Sequence, residues 1–175
     1  MTSFKKQIPE YKELIDGYLK NTLPNSDESP KDLSEAMTYS VMNGGKRIRP
    51  LMMIATAKTI DIDIQNIMPF AIAIELLHSF SLIHDDLPCM DDDRIRRGKP
   101  STHIKFGEST AVLAGNSLQT MACEILTSKY LKTDNKIKIN LIKKLSECSG
   151  HLGIAGGQYL DLSYEKKKIS QNKII

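Results

Sequence analysis

Apolar residues recur at helical spacing along most of the chain and predict a series of helices. The first is expected over Phe4 to Tyr18, with Pro9 near its start, and a loop is expected from Thr22 to Pro30. Apolar periodicity, with glycine and proline as punctuation, predicts further helices over Pro30 to Val41, Leu51 to Thr59 (opened by Pro50), Ser109 to Tyr130, Asn135 to Ser149 and His151 to Ser163. No convincing period-two pattern of a strand is present, so the sequence predicts an all-α fold.

The segment from Ile67 to Asp86 is apolar on all sides, which predicts a central, buried helix. Its few polar residues include Glu75, His78 and Asp85. His78 precedes Asp85 by seven residues, so the two lie within about 20° of each other on one helix face. A lone histidine there would more often be a core residue, but its alignment with carboxylates favours a cavity wall.

Composition adds limits to this picture. The chain has 175 residues, no tryptophan and a net charge of +3, which favours a helical core and gives no reason to expect nucleic acid. Charged residues interrupt the first twenty positions, so we expect no signal or membrane anchor and a cytoplasmic protein. Three unpaired cysteines are expected to be reduced. We expect one domain over 1–175, incomplete at its C-terminus, with an exposed or frayed tail from Glu165 to Ile175.

An acidic cluster follows the central helix and is a candidate metal site. It holds five carboxylates within nine positions, Asp85, Asp86 and Asp91 to Asp93. A carboxylate at a helix C-terminus is disfavoured by the macrodipole, and a divalent cation would compensate. Magnesium prefers oxygen ligands and commonly bridges one or two carboxylates to substrate phosphates. The alternative interpretation is a solvated loop with internal ion pairs.

Two basic clusters complete the candidate site. Gly44 to Pro50 carries Lys46, Arg47 and Arg49 after two glycines, and Arg96 to Pro100 follows the aspartates. Arginine presents a planar fork suited to phosphate, and lysine supplies a compact charge. Each cluster alone is typical of a solvated surface. Together with the carboxylates they indicate one metal-bound diphosphate and a second diphosphate bound mainly by cations.

The sequence resembles the trans-isoprenyl diphosphate synthase (polyprenyl synthetase) family, most of all its bacterial farnesyl diphosphate synthases. The resemblance covers most of Tyr39 to Asp161. Its motifs are Gly44-Gly45-Lys46-Arg47-Ile48-Arg49-Pro50, Glu75-Leu76-Leu77-His78, the D-D-x-x-x-x-D run from Asp85 to Asp91, Arg96-Arg97-Gly98-Lys99-Pro100, Ala114-Gly115, Leu118-Gln119-Thr120 and Gly156-Gly157-Gln158.

The resemblance implies roles for single residues. Asp85 and Asp91 would hold Mg²⁺ on an allylic diphosphate, with Asp86 in support, and Arg96 would contact the same diphosphate. Isopentenyl diphosphate would be bound by Lys46, Arg49, His78 and Arg97. The resemblance also implies an isoprenoid-synthase-type helical bundle around a central cavity, and a homodimer.

The implied reaction is prenyl transfer, in which isopentenyl diphosphate is condensed with dimethylallyl or geranyl diphosphate to give farnesyl diphosphate. In this family a bulky residue shortly before the first aspartate shortens the product, and Phe80 stands five positions before Asp85. A buried Phe is ordinarily just core.

The sequence also departs from the family pattern. The family's second aspartate-rich motif would lie beyond Ile175, and Asn116 replaces a usual aspartate. The helices that close the cavity would be missing, and apolar faces would be exposed. Two alternatives to a prenyltransferase therefore remain. One is a noncatalytic relic or partner subunit that binds diphosphate only, and the other is a helical interaction protein with an acidic surface loop.

Overall fold

The computed structural model describes residues 4–25, 27, 29–165 and 167, and regular structure within them is almost entirely helical. The elements are α1 (Phe4–Thr22), α2 (Lys31–Met42), α3 (Ile48–Thr59), α4 (Ile64–Asp85), β1 (Ile95–Arg96), β2 (Lys99–Pro100), α5 (Thr102–Phe106), α6 (Glu108–Thr127), α7 (Asn135–Ser149) and α8 (Ile154–Tyr164). The predicted all-α class is confirmed. Most of the predicted tail and part of the loop before Pro30 lie outside the described residues.

Three helices begin three residues away from their predicted starts, and the short helix α5 was not predicted. α3 begins at Ile48, so Pro50 lies inside its first turn, where a missing backbone N–H costs no helical hydrogen bond. α4 begins at Ile64 because Asp63 caps it, its carboxylate accepting from the backbone N–H of Gln65 at 3.0 Å. α8 begins three residues later than predicted, at Ile154, after a tight turn at Gly153 where a Cβ would overlap the carbonyl of Cys148.

α4 is the central helix, as predicted, and it packs against α6 on one side and α3 on another. Small residues let α6 approach closely: a Cβ on Gly115 would overlap the imidazole of His84. Among the described residues α4 is also the one helix long and apolar enough to cross a membrane. Its apolar residues Met68, Ile72 and Leu76 are fully buried in the core of the protein instead.

A buried arginine ties four elements together. Arg47, in left-handed backbone conformation just before α3, donates from Nε to Asp16 of α1 at 2.7 Å and from Nη1 to Glu75 of α4 at 2.9 Å. Its Nη2 donates to the carbonyl of Val41 in α2 at 2.9 Å. The side chains of Arg47 and Glu75 are only 1% and 2% exposed, so each charge depends on the other for compensation.

The prediction that no strand is present is wrong at one place, the short hairpin of β1 and β2. Arg96 pairs with Lys99 across a turn in which Arg97 and Gly98 both have positive φ, as a tight hairpin turn requires. α2 holds both strands: the Tyr39 hydroxyl donates to the carbonyl of Pro100 at 2.8 Å, and Asn43 Nδ2 donates to the carbonyl of Arg96 at 3.3 Å. Strands of two residues are too short to leave a periodic signal.

The last helix is the least covered part of the described chain. α8 has no buried residue, and Tyr159 and Leu160 on it are exposed, as is Leu152 in the preceding turn. Cys89, Cys123 and Cys148 form no disulfide in the part of the chain that the structure describes.

Replacing Arg47 by Met should lower the free energy of unfolding by about 3–5 kcal/mol, because Glu75 would be left buried without its cation. The double variant Arg47→Met/Glu75→Leu should recover much of that loss, since it removes both charges. Urea unfolding followed by circular dichroism measures both effects. Arg49→Met is the matched control, because Arg49 is an exposed residue in the first turn of α3 and should change stability by about 0.5 kcal/mol or less. Equal losses in the two single variants would contradict the importance of the buried pair.

Candidate functional site

The acidic cluster lies where α4 ends. Asp85 is the last residue of the helix, and the chain then turns so that the backbone N–H of Asp91 donates to the carbonyl of Asp85 at 2.9 Å. The two predicted metal ligands are therefore brought together. Burial raises the pKa of Asp85 above its ordinary value, and the nearby charge of Asp91 raises it further. A cation at this position would relieve that repulsion.

Arg96 faces the acidic cluster from the hairpin. Its Nε donates to Asp86 at 2.9 Å, its Nη2 also donates to Asp86, and its Nη2 contacts Asp93 at 3.2 Å. Asp86 is almost fully buried, so this ion pair fixes the guanidinium. The hydrogen bond to Asp86 raises the pKa of Arg96 above its ordinary value. Arg96 remains partly exposed next to the aspartates, where its predicted contact with a diphosphate is possible.

α8 forms the opposite wall of the acidic cluster. Gln158 Nε2 donates to Asp91 at 3.2 Å. A cavity of about 450 Å³ lies between this helix and the turn after α4, lined by Met90, Asp91, Asp161, Leu162, Tyr164 and Glu165. The sequence singled out Gln158 only as part of a motif, because the two segments are far apart in the chain.

The four residues predicted to bind the second diphosphate line one cavity. It has a volume of about 570 Å³, and Lys46, Arg49, His78 and Arg97 are on its walls. Burial and then the charge of Arg49 lower the pKa of His78. Burial and the charge of Arg47 lower the pKa of Arg97. Repulsion among cations in one cavity is the condition that a bound anion relieves.

The two glycines before Lys46 allow Arg97 to reach this cavity. The Arg97 guanidinium donates to the carbonyl of Gly44, and a Cβ on Gly45 would lie 2.8 Å from Arg97 Nη1. Gly44 and Gly45 have φ values of +80° and +134°, which residues with a side chain rarely adopt. The backbone conformation at both positions favours glycine, and a side chain on Gly45 would displace the Arg97 guanidinium.

The polar residues predicted on one face of α4 lie in two separate sites. Glu75 and His78 line the basic cavity, whereas Asp85 lies with Asp91 beyond the hairpin. Glu75 has a structural contact there, because its Oε1 accepts from Arg47. Sequence reasoning treated Arg47 only as one more cation. The available signal was Glu75 itself, since a carboxylate inside an apolar helix needs a buried cation.

Phe80 lies on α4 one turn before the aspartates. Its half-buried ring packs edge-on against the imidazole of His84, with centroids 4.8 Å apart and planes at 72°. His84 in turn contacts the carbonyl of Val112 in α6 through Nε2 at 3.2 Å. The α4–α6 contact thus fixes Phe80 near the helix end that carries Asp85.

The chemistry of the donor set fits Mg²⁺. In the part of the chain that the structure describes, no group of three or more His, Cys, Asp or Glu residues is placed to hold a metal on its own. Magnesium does not need such a cage, because it keeps several waters and binds through one or two carboxylates together with substrate phosphates. Asp85 and Asp91 are the two carboxylates that could hold it here.

Solved structures share this arrangement of helices. The apo structure of an FPP/GFPP synthase from Zymomonas mobilis matches with a TM-score of 0.89 and 40% identity, covering 95% of this chain and 60% of that chain. A geranyltransferase from Legionella pneumophila matches with a TM-score of 0.91 and 37% identity, covering 97% of this chain and 60% of that chain.

Sequence comparison agrees with the structural match. The farnesyl diphosphate synthase of Buchnera aphidicola subsp. Acyrthosiphon pisum is 42% identical over 165 residues, which is 94% of this chain and 58% of that protein. The chain thus spans less than two thirds of the length of the curated relatives it matches. The family model described as polyprenyl synthetase matches residues 30–174. Because that match covers most of the chain, this protein belongs to the polyprenyl synthetase family.

Proposed function

We propose that this chain carries the substrate-binding part of a prenyltransferase that condenses isopentenyl diphosphate with dimethylallyl or geranyl diphosphate to give farnesyl diphosphate. The observation that carries the proposal is a pair of oppositely charged sites on the two sides of one hairpin. Arg96 lies with the aspartates, and the next residue, Arg97, lies in the basic cavity. The names of the relatives, farnesyl diphosphate synthases among them, support the same reaction.

The acidic site is assigned to the allylic diphosphate. Asp85 and Asp91 would hold Mg²⁺, which when bound supplies positive charge to the diphosphate oxygens. Arg96 would donate to the same diphosphate while its contact with Asp86 keeps it in place. A dication next to Asp85 would also stabilise the ionised carboxylate, which burial disfavours.

The basic cavity is assigned to isopentenyl diphosphate. Lys46, Arg49 and Arg97 supply cations without any carboxylate that accepts from them at hydrogen-bonding distance among the described contacts. The lowered pKa of His78 keeps its imidazole neutral near pH 7, where it can still donate one hydrogen bond to a phosphate oxygen. Because the cations are already gathered, little reorganisation is needed when the anion binds.

The reaction then needs no protein nucleophile. The C–O bond of the allylic diphosphate breaks, and the diphosphate leaves with the electron pair toward Arg96. The double bond of isopentenyl diphosphate attacks the allylic cation, a new C–C bond forms, and the released diphosphate takes the proton that the product loses. The residues of this chain hold both diphosphates, and the apolar side chains of α4, including Phe80, keep water from the cation.

The proposal includes a cytoplasmic homodimer that binds no nucleic acid. The family resemblance supports the dimer. The long apolar helix α4 serves as the core helix, which gives no support to a membrane anchor. The family match does not favour a helical interaction protein with only a surface acidic loop.

The direct test is incubation of the chain with Mg²⁺, isopentenyl diphosphate and geranyl diphosphate, with products separated by length. We expect a fifteen-carbon product, and we expect Asp85→Asn to abolish it. The same substitution should weaken Mg²⁺-dependent binding of a nonhydrolysable geranyl diphosphate analogue by about tenfold or more, measured by calorimetry.

Asp61→Asn is the matched control, because Asp61 is an exposed carboxylate in a left-handed turn that Asn tolerates. It should leave product and binding unchanged. If the analogue binds in the presence of Mg²⁺ but no product forms, the binding assignment stands and the 175-residue chain does not catalyse the reaction. A chain that binds neither diphosphate would contradict the proposal entirely.

The pH dependence of stability tests the basic cavity. The pKa of His78 is lowered from 6.5 in the folded chain, so the unfolded chain binds more protons. The contribution of His78 to the free energy of unfolding is therefore present above about pH 6.5 and is lost as the pH falls below that value. His78→Gln should show a smaller drop in urea midpoint between about pH 7.5 and 5.5.

Isopentenyl diphosphate should reduce that drop in the unsubstituted chain, because its charge opposes the repulsion from Arg49 and Arg97. His151→Gln removes an exposed histidine and serves as control. An identical pH profile for His78→Gln and the unsubstituted chain would argue against a desolvated His78.

Phe80 tests the proposed control of product length. Phe80→Ala removes the ring that packs on His84, so we expect products longer than fifteen carbons when the substituted chain is supplied with excess isopentenyl diphosphate. Phe106→Ala is the control, because Phe106 lies on α5 and packs against Tyr39. If product length is the same in both variants, Phe80 does not control it.

A further inference from the structure

The wall between the two proposed sites contains a residue that belongs to both of them. Asn43 follows the last residue of α2 and is buried, with 9% of its surface exposed. It lines the basic cavity beside Lys46 and Arg97. It also lines a second, small cavity of about 20 Å³ on the side of Asp86 and Arg96. Asn43 therefore stands between the two groups of charges.

Asn43 and its neighbour hold both arginines of the hairpin. The side-chain Nδ2 of Asn43 donates to the main-chain carbonyl of Arg96 at 3.3 Å. The carbonyl of Gly44, the next residue, accepts from the guanidinium of Arg97. The carbonyl that Asn43 holds belongs to the peptide bond between Arg96 and Arg97, so a shift of that peptide would move both residues.

The other end of the Asn43 amide is unsatisfied. Its Oδ1 is buried and has no hydrogen-bond partner in the described structure. The small cavity beside it has a volume just above what one water needs, and Ser79, Asp86 and Arg96 on its walls supply polar atoms. A single water there would satisfy Oδ1 and link it to the Asp86–Arg96 pair.

We propose that Asn43, together with one buried water, is a positioning residue that sets Arg96 and Arg97 at the same time. Both diphosphate sites consequently lose affinity when Asn43 is replaced. This inference rests on the proposed function, because the two arginines are assigned to the two diphosphates. In this proposal Asn43 acts through the two arginines.

The test uses Asn43→Leu, which has a similar volume and removes both the donor and the unsatisfied Oδ1. The carbonyl of Arg96 loses this donor, so a small fall in the urea midpoint is expected beside the loss of affinity. Calorimetry should show about tenfold weaker binding of isopentenyl diphosphate without metal, and about tenfold weaker binding of geranyl thiolodiphosphate with Mg²⁺. A merely structural role would instead change the midpoint and leave the affinities alone.

Tyr39→Phe is the matched control, because it removes the hydrogen bond to the other strand of the hairpin, at Pro100. It should change both affinities by about twofold or less. Equal weakening in Tyr39→Phe, or weakening of one ligand only in Asn43→Leu, would overturn the proposal. If the unsubstituted chain binds neither ligand, the proposed function itself has failed.

A high-resolution crystal structure of the unsubstituted chain tests the water without any ligand. We expect density for one water within hydrogen-bonding distance of Asn43 Oδ1 and a polar atom of Asp86 or Arg96. An empty cavity would overturn the part of the proposal that concerns the water, whatever the binding data show.

Discussion

The compensation of one buried charge, that of Arg47, underlies the whole arrangement. An ion inside an apolar interior is tolerated only when its donors are satisfied, and Arg47 finds acceptors in α1, α2 and α4. These contacts fix where α3 starts and how the preceding loop runs. The neighbouring Lys46 and Arg49 are exposed and line the basic cavity. The buried pair thus sets the scaffold, and the charges beside it are left for a ligand.

The hairpin of β1 and β2 solves a second electrostatic problem. A carboxylate cluster and a cation cluster placed in direct contact would neutralise each other through ion pairs and leave little charge for a ligand. Here Arg96 is committed to Asp86, and Arg97 is held by the carbonyl of Gly44. The hairpin therefore separates the acidic cluster from the basic cavity, so that each keeps its sign.

Much of this could be predicted from the sequence, and the physical reason differs from residue to residue. Helices longer than ten residues repeat their apolar spacing several times, so α2, α6 and α7 were located closely. The family resemblance predicted that one ligand is bound by Lys46, Arg49, His78 and Arg97. The structure places all four in one cavity. The roles of these residues remain predictions.

The parts that the sequence could not predict depend on contacts between distant segments. The Arg47–Glu75 pair joins residues 28 positions apart, and nothing in the local pattern marks Arg47 as different from its basic neighbours. The hairpin strands are too short for any period. The buried amide of Asn43 has meaning only once β1 is packed on α2. The close contact of α8 with the aspartates arises in the same way.

The segment from Lys46 to Arg49 places a buried guanidinium between two exposed cations, and this has an evolutionary consequence. Under the proposed function, mutations at Lys46 or Arg49 would change the affinity for an anion while the chain still folds. Mutations at Arg47 would harm folding whether or not any ligand is bound. In a lineage that no longer uses the cavity, the two exposed positions would drift first and Arg47 last. The order in which residues 46 to 49 are substituted would thus show whether binding or folding was lost first.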